Sequence, residues 1–347
     1  MKSAQGQALG LFMRIVVVGG AGFIGSAVSR FLVSQRGATV LVIDKLTHAA
    51  SLASLEPISR NPRYAFRKAD IRDRERIAGL IQAFAPDAIV HAAVEKITDA
   101  RIGGAADAVD TNLIGTWNLL EAAREYWSAL TLPRRDRFRF LSVSSADDAA
   151  QPATAIRTAA DQMVLSWHRD YGLPTIVSKA ATTYGPYQFP NETVPAAIVA
   201  AMDGYTSAPA ATPAREWLHI DDHVCALALM LEKGTPGESY TVAGNGPATS
   251  DQIAARIASL VERHRPRDAA AAIRALEATA VARHEQPIAG IKAVSDALHR
   301  DTGWRAEHSV ETGLSNTVRW YLANPAWWQP LHAAQSTGDA YGLLRIA

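Results

Sequence analysis

Gly19-Gly20-Ala21-Gly22-Phe23-Ile24-Gly25 satisfies both the G-x-G-x-x-G and the G-x-x-G-x-x-G spacings. Glycines at these intervals permit a tight turn and let an anion approach backbone N–H groups at a helix start, where the partial positive charge favours it. A pyrophosphate suits such a loop. Gly19, Gly22, Phe23, Ile24 and Gly25 are therefore candidate cofactor contacts. Asp44 stands 19 residues past Gly25, at the end of the next apolar run. A carboxylate at that distance can accept hydrogen bonds from both hydroxyls of an adenosine ribose, which favours NAD over NADP. A turn that used its glycines only for packing would have no need of it.

A second group of residues offers proton and charge chemistry. Ser144, Ser145, Asp147 and Asp148 close one apolar run, Glu95 and Lys96 follow another, and Arg157 lies a little further on. All are on segments that point to the C-terminal edge of a parallel sheet, where ligands bind. Each taken singly reads as well as a solvated loop residue. His219 and His223 are four apart around Asp221-Asp222, a spacing that suits a metal pair. The segment reads more simply as a strand-to-helix turn with Asp221 or Asp222 as N-cap, and no metal is expected.

These residues need elements to hold them at one edge, and the hydrophobic pattern provides them. Runs at 14–19 and 39–43 are rich in β-branched residues, the pattern of buried parallel strands, and 64–68, 87–91, 138–143 and 173–178 are further strand candidates. Helical spacing follows from residue 23, around 77–84, over 105–127 and over 154–171. Such alternation predicts an α/β fold, a Rossmann doubly wound parallel sheet. Five prolines fall in 181–217, where the rhythm loosens. A smaller C-terminal α/β lobe is expected from there, with helices near 222–232, 250–262 (Ser250 as N-cap), 268–281 and 308–322. The predicted organisation is a tail over 1–13, the NAD-binding domain over 14–180, the interleaved smaller lobe over 181–325 and an extension over 326–347.

Thirty-five Lys+Arg against 34 Asp+Glu leave a net charge of +1, too little bulk charge for nucleic-acid binding. The longest apolar stretches fall short of the roughly 18–20 residues of a membrane span. A single cysteine, Cys225, makes no internal disulfide, and residues 1–12 lack the apolar core of a secretory signal. The expectation is a cytoplasmic protein acting on a small molecule.

Further motifs accompany the glycine loop: Asp44-Lys45-Leu46-Thr47, Ala69-Asp70-Ile71, Thr111-Asn112-Leu113-Ile114-Gly115-Thr116, and the segments 171–177, 184–190, 215–223 and 317–324. From about 14 to 325 the chain resembles the extended short-chain dehydrogenase/reductases, and within them the dTDP-glucose 4,6-dehydratase family. The resemblance implies that NAD takes a hydride from sugar C4, that water is lost across C5 and C6, and that the hydride returns at C6. It adds Lys45, Asp70, Ile71 and Ala92 to the cofactor contacts.

In that family a tyrosine and a lysine make the first proton transfer. A Thr-Asp-Glu trio polarises the ketone, protonates the leaving hydroxyl and removes the C5 proton. The trio's positions read Ser145, Ala146 and Asp147 here, and the Tyr-x-x-x-Lys positions read Ala153 and Arg157. Alanine has no proton to give, and arginine, with a pKa above about 12, holds charge without cycling a proton. A family loop of roughly thirty residues over the sugar is absent between 150 and 151. At the nucleotide cradle Thr182-Thr183, Asn191-Glu192 and 284–290 depart from the family, whereas Arg215 is kept.

The expectation drawn from these departures is an NAD-binding chain redirected to another reaction or substrate, with Ser145, Asp147 and Arg157 as catalytic candidates. A catalytically inactive scaffold or regulatory subunit is the alternative, and the family's own reaction comes third. The resemblance also implies a homodimer, or a heterodimer with an intact relative, through helices 105–127 and 154–171. Leu119, Leu120, Met163, Val164 and Trp167 would supply its apolar face or pack against the sheet.

Overall fold

Strands β1 (Arg14–Val18), β2 (Thr39–Asp44) and β4 (Ala88–His91) are buried along nearly their whole length, as apolar runs are when helices cover both faces of a sheet. With β3 (Tyr64–Lys68), β5 (Arg139–Ser145), β6 (Thr175–Ala180) and β9 (Ser239–Val242) they form a seven-stranded sheet of order β3-β2-β1-β4-β5-β6-β9. The doubly wound Rossmann sheet is therefore present. This is a computed structural model describing residues 13–95, 104–146, 152–204, 214–265 and 295–336. The chain divides into two units: 1–179 with 224–240 and 297–304, and 180–223 with 241–296 and 305–347.

In the first unit the strand order reverses between β1 and β4, which opens a crevice beyond their C-terminal ends. Val18 is in register with both Ile43 and His91. The residues that follow, Gly19, Asp44 and Ala92, thus leave the sheet at one level. Helices α1 (Phe23–Gln35) and α2 (Arg74–Phe84) connect these strands, and Asp73 caps α2 by accepting the Arg76 N–H.

The helix predicted over 105–127 runs without interruption as α3 (Gly104–Val109) and α4 (Thr116–Ser128), joined by a wider helical turn at Asp110–Gly115. Wide turns of this kind cluster at functional sites, and this one carries Thr111 and Asn112. After α5 (Leu132–Arg137) and β5 comes α6 (Pro152–Tyr171). Leu119, Leu120 and Val164 are fully buried in the core with Val16, Ile89 and Phe140, and Met163 and Trp167 pack against the same cluster. The apolar face proposed for a dimer therefore belongs to core packing. Val109, Ile114, Trp117, Leu132 and Tyr171 are the large apolar side chains exposed among the described residues of this part of the chain.

The second unit holds a small sheet of order β10-β8-β7, made from β7 (Thr182–Tyr184), β8 (Arg215–His219) and β10 (Pro247–Ala248). Its core joins Tyr184 and Trp217 to α7 (Thr193–Asp203), α9 (Ser250–His264) and, later in the chain, α11 (Val310–Ala323). The unit boundary falls within α8 (Ile220–Lys233), and the first unit later takes up most of α10 (Asp296–Thr302).

Local chemistry corrects two caps. Thr249, not Ser250, caps α9: its Oγ1 accepts the Gln252 N–H while the Gln252 side chain accepts the Thr249 N–H. Asp221 and Asp222 lie inside the first turn of α8 and not at its N-cap. The helix predicted over 268–281 lies outside the described residues. Residues 325–336 form α12 (Pro325–Ser336), which buries Trp328 and Leu331. No helix among the described residues is long and apolar enough to cross a membrane.

Candidate functional site

The glycine loop is shaped by close backbone approach. Gly19 has φ +78°, which favours glycine, and a Cβ there would fall 2.5 Å from the Ala93 nitrogen. A Cβ on Gly25 would collide with the Gly19 carbonyl. Gly22 caps α1 with extended backbone and no side-chain hydrogen bond, and no acidic residue stands in the first turn. The N–H groups at the start of α1 are left for an external anion.

Asp44 closes the far side of the loop. Its carboxylate accepts the Ala21 N–H at 2.9 Å and the Leu46 N–H at 2.8 Å. Burial pushes its carboxyl above the usual range, although the Leu46 and Ala21 N–H groups oppose this. Beside it the Lys45 ammonium bridges to Glu95 at 2.8 Å and donates to Thr111 Oγ1 at 3.1 Å. Asn112 fixes Glu95 in turn by accepting its N–H and donating to its carbonyl, both at 2.8 Å. The wide turn, the end of β2 and the segment after β4 are thereby tied together.

These groups frame a cleft of about 500 Å³ lined by Gly19, Gly22, Asp44, Lys45, Ile71 and Ala92 among others. Six of the predicted cofactor residues meet there. Phe23, Ile24 and Gly25 instead form the first turn of α1. Asp70 turns to Arg72, which donates to it from backbone and side chain at 2.9 and 2.7 Å. Burial raises its pKa, but those hydrogen bonds outweigh burial and hold it below the ordinary range. An anion-binding helix start, a ribose-height carboxylate and an apolar floor fit a dinucleotide.

A second pocket shares Ala93 and Val94 with the first. His91, Asn112, Thr116, Ser144, Arg157 and Asp161 contribute to its wall. Ser144 Oγ donates to Asp161 Oδ2 at 2.9 Å, and Lys179 Nζ stands 4.0 Å from the same oxygen. Burial pushes the Asp161 carboxyl up, against the opposing effects of Ser144, Lys179 and Arg157. A raised, buried carboxylate in contact with a hydroxyl is a competent proton acceptor. Arg157 donates to Ser145 Oγ. His91, fully buried with Nε2 2.9 Å from Thr116 Oγ1, is lowered to about 4 and so stays neutral.

Of the predicted catalytic group, Ser145 and Arg157 come together and Ala146 is exposed just after β5. Asp147, Asp148 and Lys96 lie outside the described residues, as do the segment 284–290 and the side chain of Ala153. Arg215 opens β8, exposed, in the second unit. Asp161 and Lys179 were not singled out from sequence. The available signal was an acid on the apolar-patterned helix 154–171 and a lysine ending an apolar strand. His219 and His223 do not act as a pair: His223 Nδ1 faces Thr183 Oγ1 at 3.1 Å, while His219 stacks on His308 with ring centroids 4.3 Å apart.

The cofactor cleft at the strand-order switch defines a dinucleotide-binding protein of the doubly wound class. Residues 15–243 match the NAD dependent epimerase/dehydratase family. The chain belongs to that family, and NAD is its cofactor. It is 38% identical to a probable dTDP-glucose 4,6-dehydratase of Sinorhizobium fredii, over 96% of this chain and all of that one. It is 34% identical to the dTDP-glucose 4,6-dehydratase of Escherichia coli with the same coverage. Among solved structures, the dTDP-glucose 4,6-dehydratase DesIV of Streptomyces venezuelae, a double mutant with NAD bound, superposes with TM-score 0.73. It is 30% identical and covers 92% of this chain and 100% of that one.

These relatives overturn the expectation of a redirected or inactive protein. Similarity at 34–38% runs through nearly the whole chain to proteins that carry the dehydratase name, and neither alternative is favoured. Reading function from the replaced motif residues alone left out Asp161 and Lys179, which the fold brings together with Ser144.

Proposed function

We propose that this chain is a dTDP-glucose 4,6-dehydratase, converting a nucleotide-linked glucose to its 4-keto-6-deoxy form with loss of water. The observation that carries this reading is the Ser144–Asp161 pair in a cavity that adjoins the dinucleotide cleft. Gly19, Gly22 and the first turn of α1 hold the pyrophosphate, Asp44 the ribose, and Ile71 and Ala92 the apolar faces of the cofactor. When bound, NAD would supply the hydride acceptor for sugar C4 and the hydride donor for C6.

The protein's own groups handle the protons. Ser144 Oγ receives the proton of the C4 hydroxyl and passes its own to Asp161. Lys179 and Arg157 keep positive charge near the carboxylate in both protonation states. Ser145, oriented by Arg157, donates to the new C4 carbonyl, and the guanidinium favours the enolate that forms when C5 loses its proton. Asp147 would take that C5 proton and give it to the departing C6 hydroxyl, so that water leaves; as the hydride arrives at C6 a solvent proton adds at C5, and Asp161 returns its own proton to solvent, which balances the cycle.

A homodimer in the cytoplasm is the finer part of this reading. Ile114, Trp117 and Tyr171, exposed on or beside α4 and α6, would be covered by the second copy. The reading is tested by incubating the protein with NAD and dTDP-glucose and weighing the product. A nucleotide sugar lighter by one water supports it, and unchanged substrate with NAD bound contradicts it.

A further inference from the structure

In the second unit, three groups that the dehydration does not use converge from separate places. One ring nitrogen each of His219 and His308 and a carboxylate oxygen of Asp221 lie within 4.8 Å of one another. His219 ends β8, Asp221 stands in the first turn of α8, and His308 immediately precedes the cap of α11. The imidazoles stack at 29° with centroids 4.3 Å apart. Asp221 Oδ2 is 3.6 Å from His219 Nδ1, too far for a hydrogen bond, and this side chain is 67% exposed. Its oxygens are therefore open to an ion from solvent.

The neighbouring carboxylate does a different job. Asp222 Oδ1 accepts from His308 Nδ1 at 2.9 Å, and its Oδ2 accepts the His308 backbone N–H, also at 2.9 Å. A carboxylate on one ring nitrogen fixes the ring and leaves the other, Nε2, as the ligand, the usual outer-shell arrangement around a metal-binding histidine. The Asp221 N–H donates to His219 Nδ1 at 3.3 Å, so the lone pair lies on Nδ1, and an ion bound there takes the place of this long hydrogen bond. Two imidazoles and one carboxylate are the donor set of zinc and its neighbours, whereas calcium and magnesium prefer oxygen.

We infer that His219, Asp221 and His308 form a binding site for a zinc-class divalent metal ion, with remaining positions open to water. The site shares no residue with the cofactor cleft, and its ion ties the start of α8 to the start of α11.

The test is titration of the untagged full chain with ZnCl2 by calorimetry, and with CoCl2 followed by visible absorption. One saturable equivalent of zinc per chain is expected, together with the intense absorption of four- or five-coordinate cobalt. Zinc should also raise the melting temperature. His308→Gln and Asp221→Asn, both outside the buried core, should each weaken zinc binding by at least about tenfold. His48→Gln, remote in sequence, should leave it unchanged. No saturable binding, cobalt showing only the weak absorption of its hydrated ion, or full affinity retained in both variants would overturn the site.

Discussion

Ser144 Oγ donates to Asp161 Oδ2 across 2.9 Å, joining the C-terminal end of β5 to the buried side of α6. The contact places an ionisable group beneath a hydroxyl that faces the cavity next to the cofactor cleft. Without the hydroxyl the carboxylate would lose its relay to the sugar. Without the carboxylate the hydroxyl would have nowhere to send a proton.

Asp161→Asn is expected to lower kcat by about 10²–10⁴ with NAD affinity unchanged, since Asp161 is not part of the dinucleotide cleft. Burial raises the Asp161 carboxyl above the ordinary range, and the base must be ionised. Activity therefore falls as the pH drops through that raised value, at higher pH than an ordinary aspartate would require. A pH profile of kcat/KM checks this, and the acid limb should disappear in the Asn variant.

Gly25→Ala should weaken NAD binding by at least about tenfold, a loss on the order of 1.4 kcal/mol. Its Cβ meets the Gly19 carbonyl, and relief requires the loop to move away from the pyrophosphate position. Calorimetric titration with NAD measures the effect. Gly79→Ala, whose Cβ has open space around it, is the control and should bind normally.

Asn112→Ala removes both 2.8 Å hydrogen bonds to the Glu95 backbone. Stability should fall by about 1–3 kcal/mol, the cost of leaving such groups unpaired. Because Glu95 holds Lys45 at the cleft, NAD affinity should drop as well. Denaturant unfolding with and without NAD separates the two effects.

Much of the first unit was legible in the sequence, because buried parallel strands are short apolar runs and the glycine loop announces its turn. The runs 39–43 and 64–68 match β2 and β3 almost residue for residue. The wider turn at Asp110–Gly115 was not legible, since periodicity cannot distinguish a wide turn within a continuing helix. The Ser144–Asp161–Lys179 cluster was hidden for another reason: its members are 17 or more residues apart and meet only through strand order. His219 and His308 are further still from being local, and the nearer His223 drew attention away from that pair.

His91 and His223 give stability a pH dependence. Burial lowers them to about 4 and about 3, so both fold neutral, whereas the unfolded chain protonates them near about 6.5. Above that pH neither state takes a proton and the effect vanishes. As pH falls below it the unfolded state is favoured, by up to about 1.4 kcal/mol per unit for each ring. Melting temperatures should therefore be flat above neutrality and decline between pH 6.5 and pH 4. His223→Gln, which keeps a partner for Thr183, should make that decline shallower.

The most direct test of the dehydratase reading follows the hydrogen on C4. dTDP-glucose carrying deuterium at C4 is incubated with the NAD-loaded protein, and the product is examined by NMR and mass spectrometry. The account predicts a 4-keto-6-deoxy sugar with the deuterium at C6 of the same molecule. Substrate recovered intact, or deuterium lost to solvent with no 6-deoxy product, would contradict it.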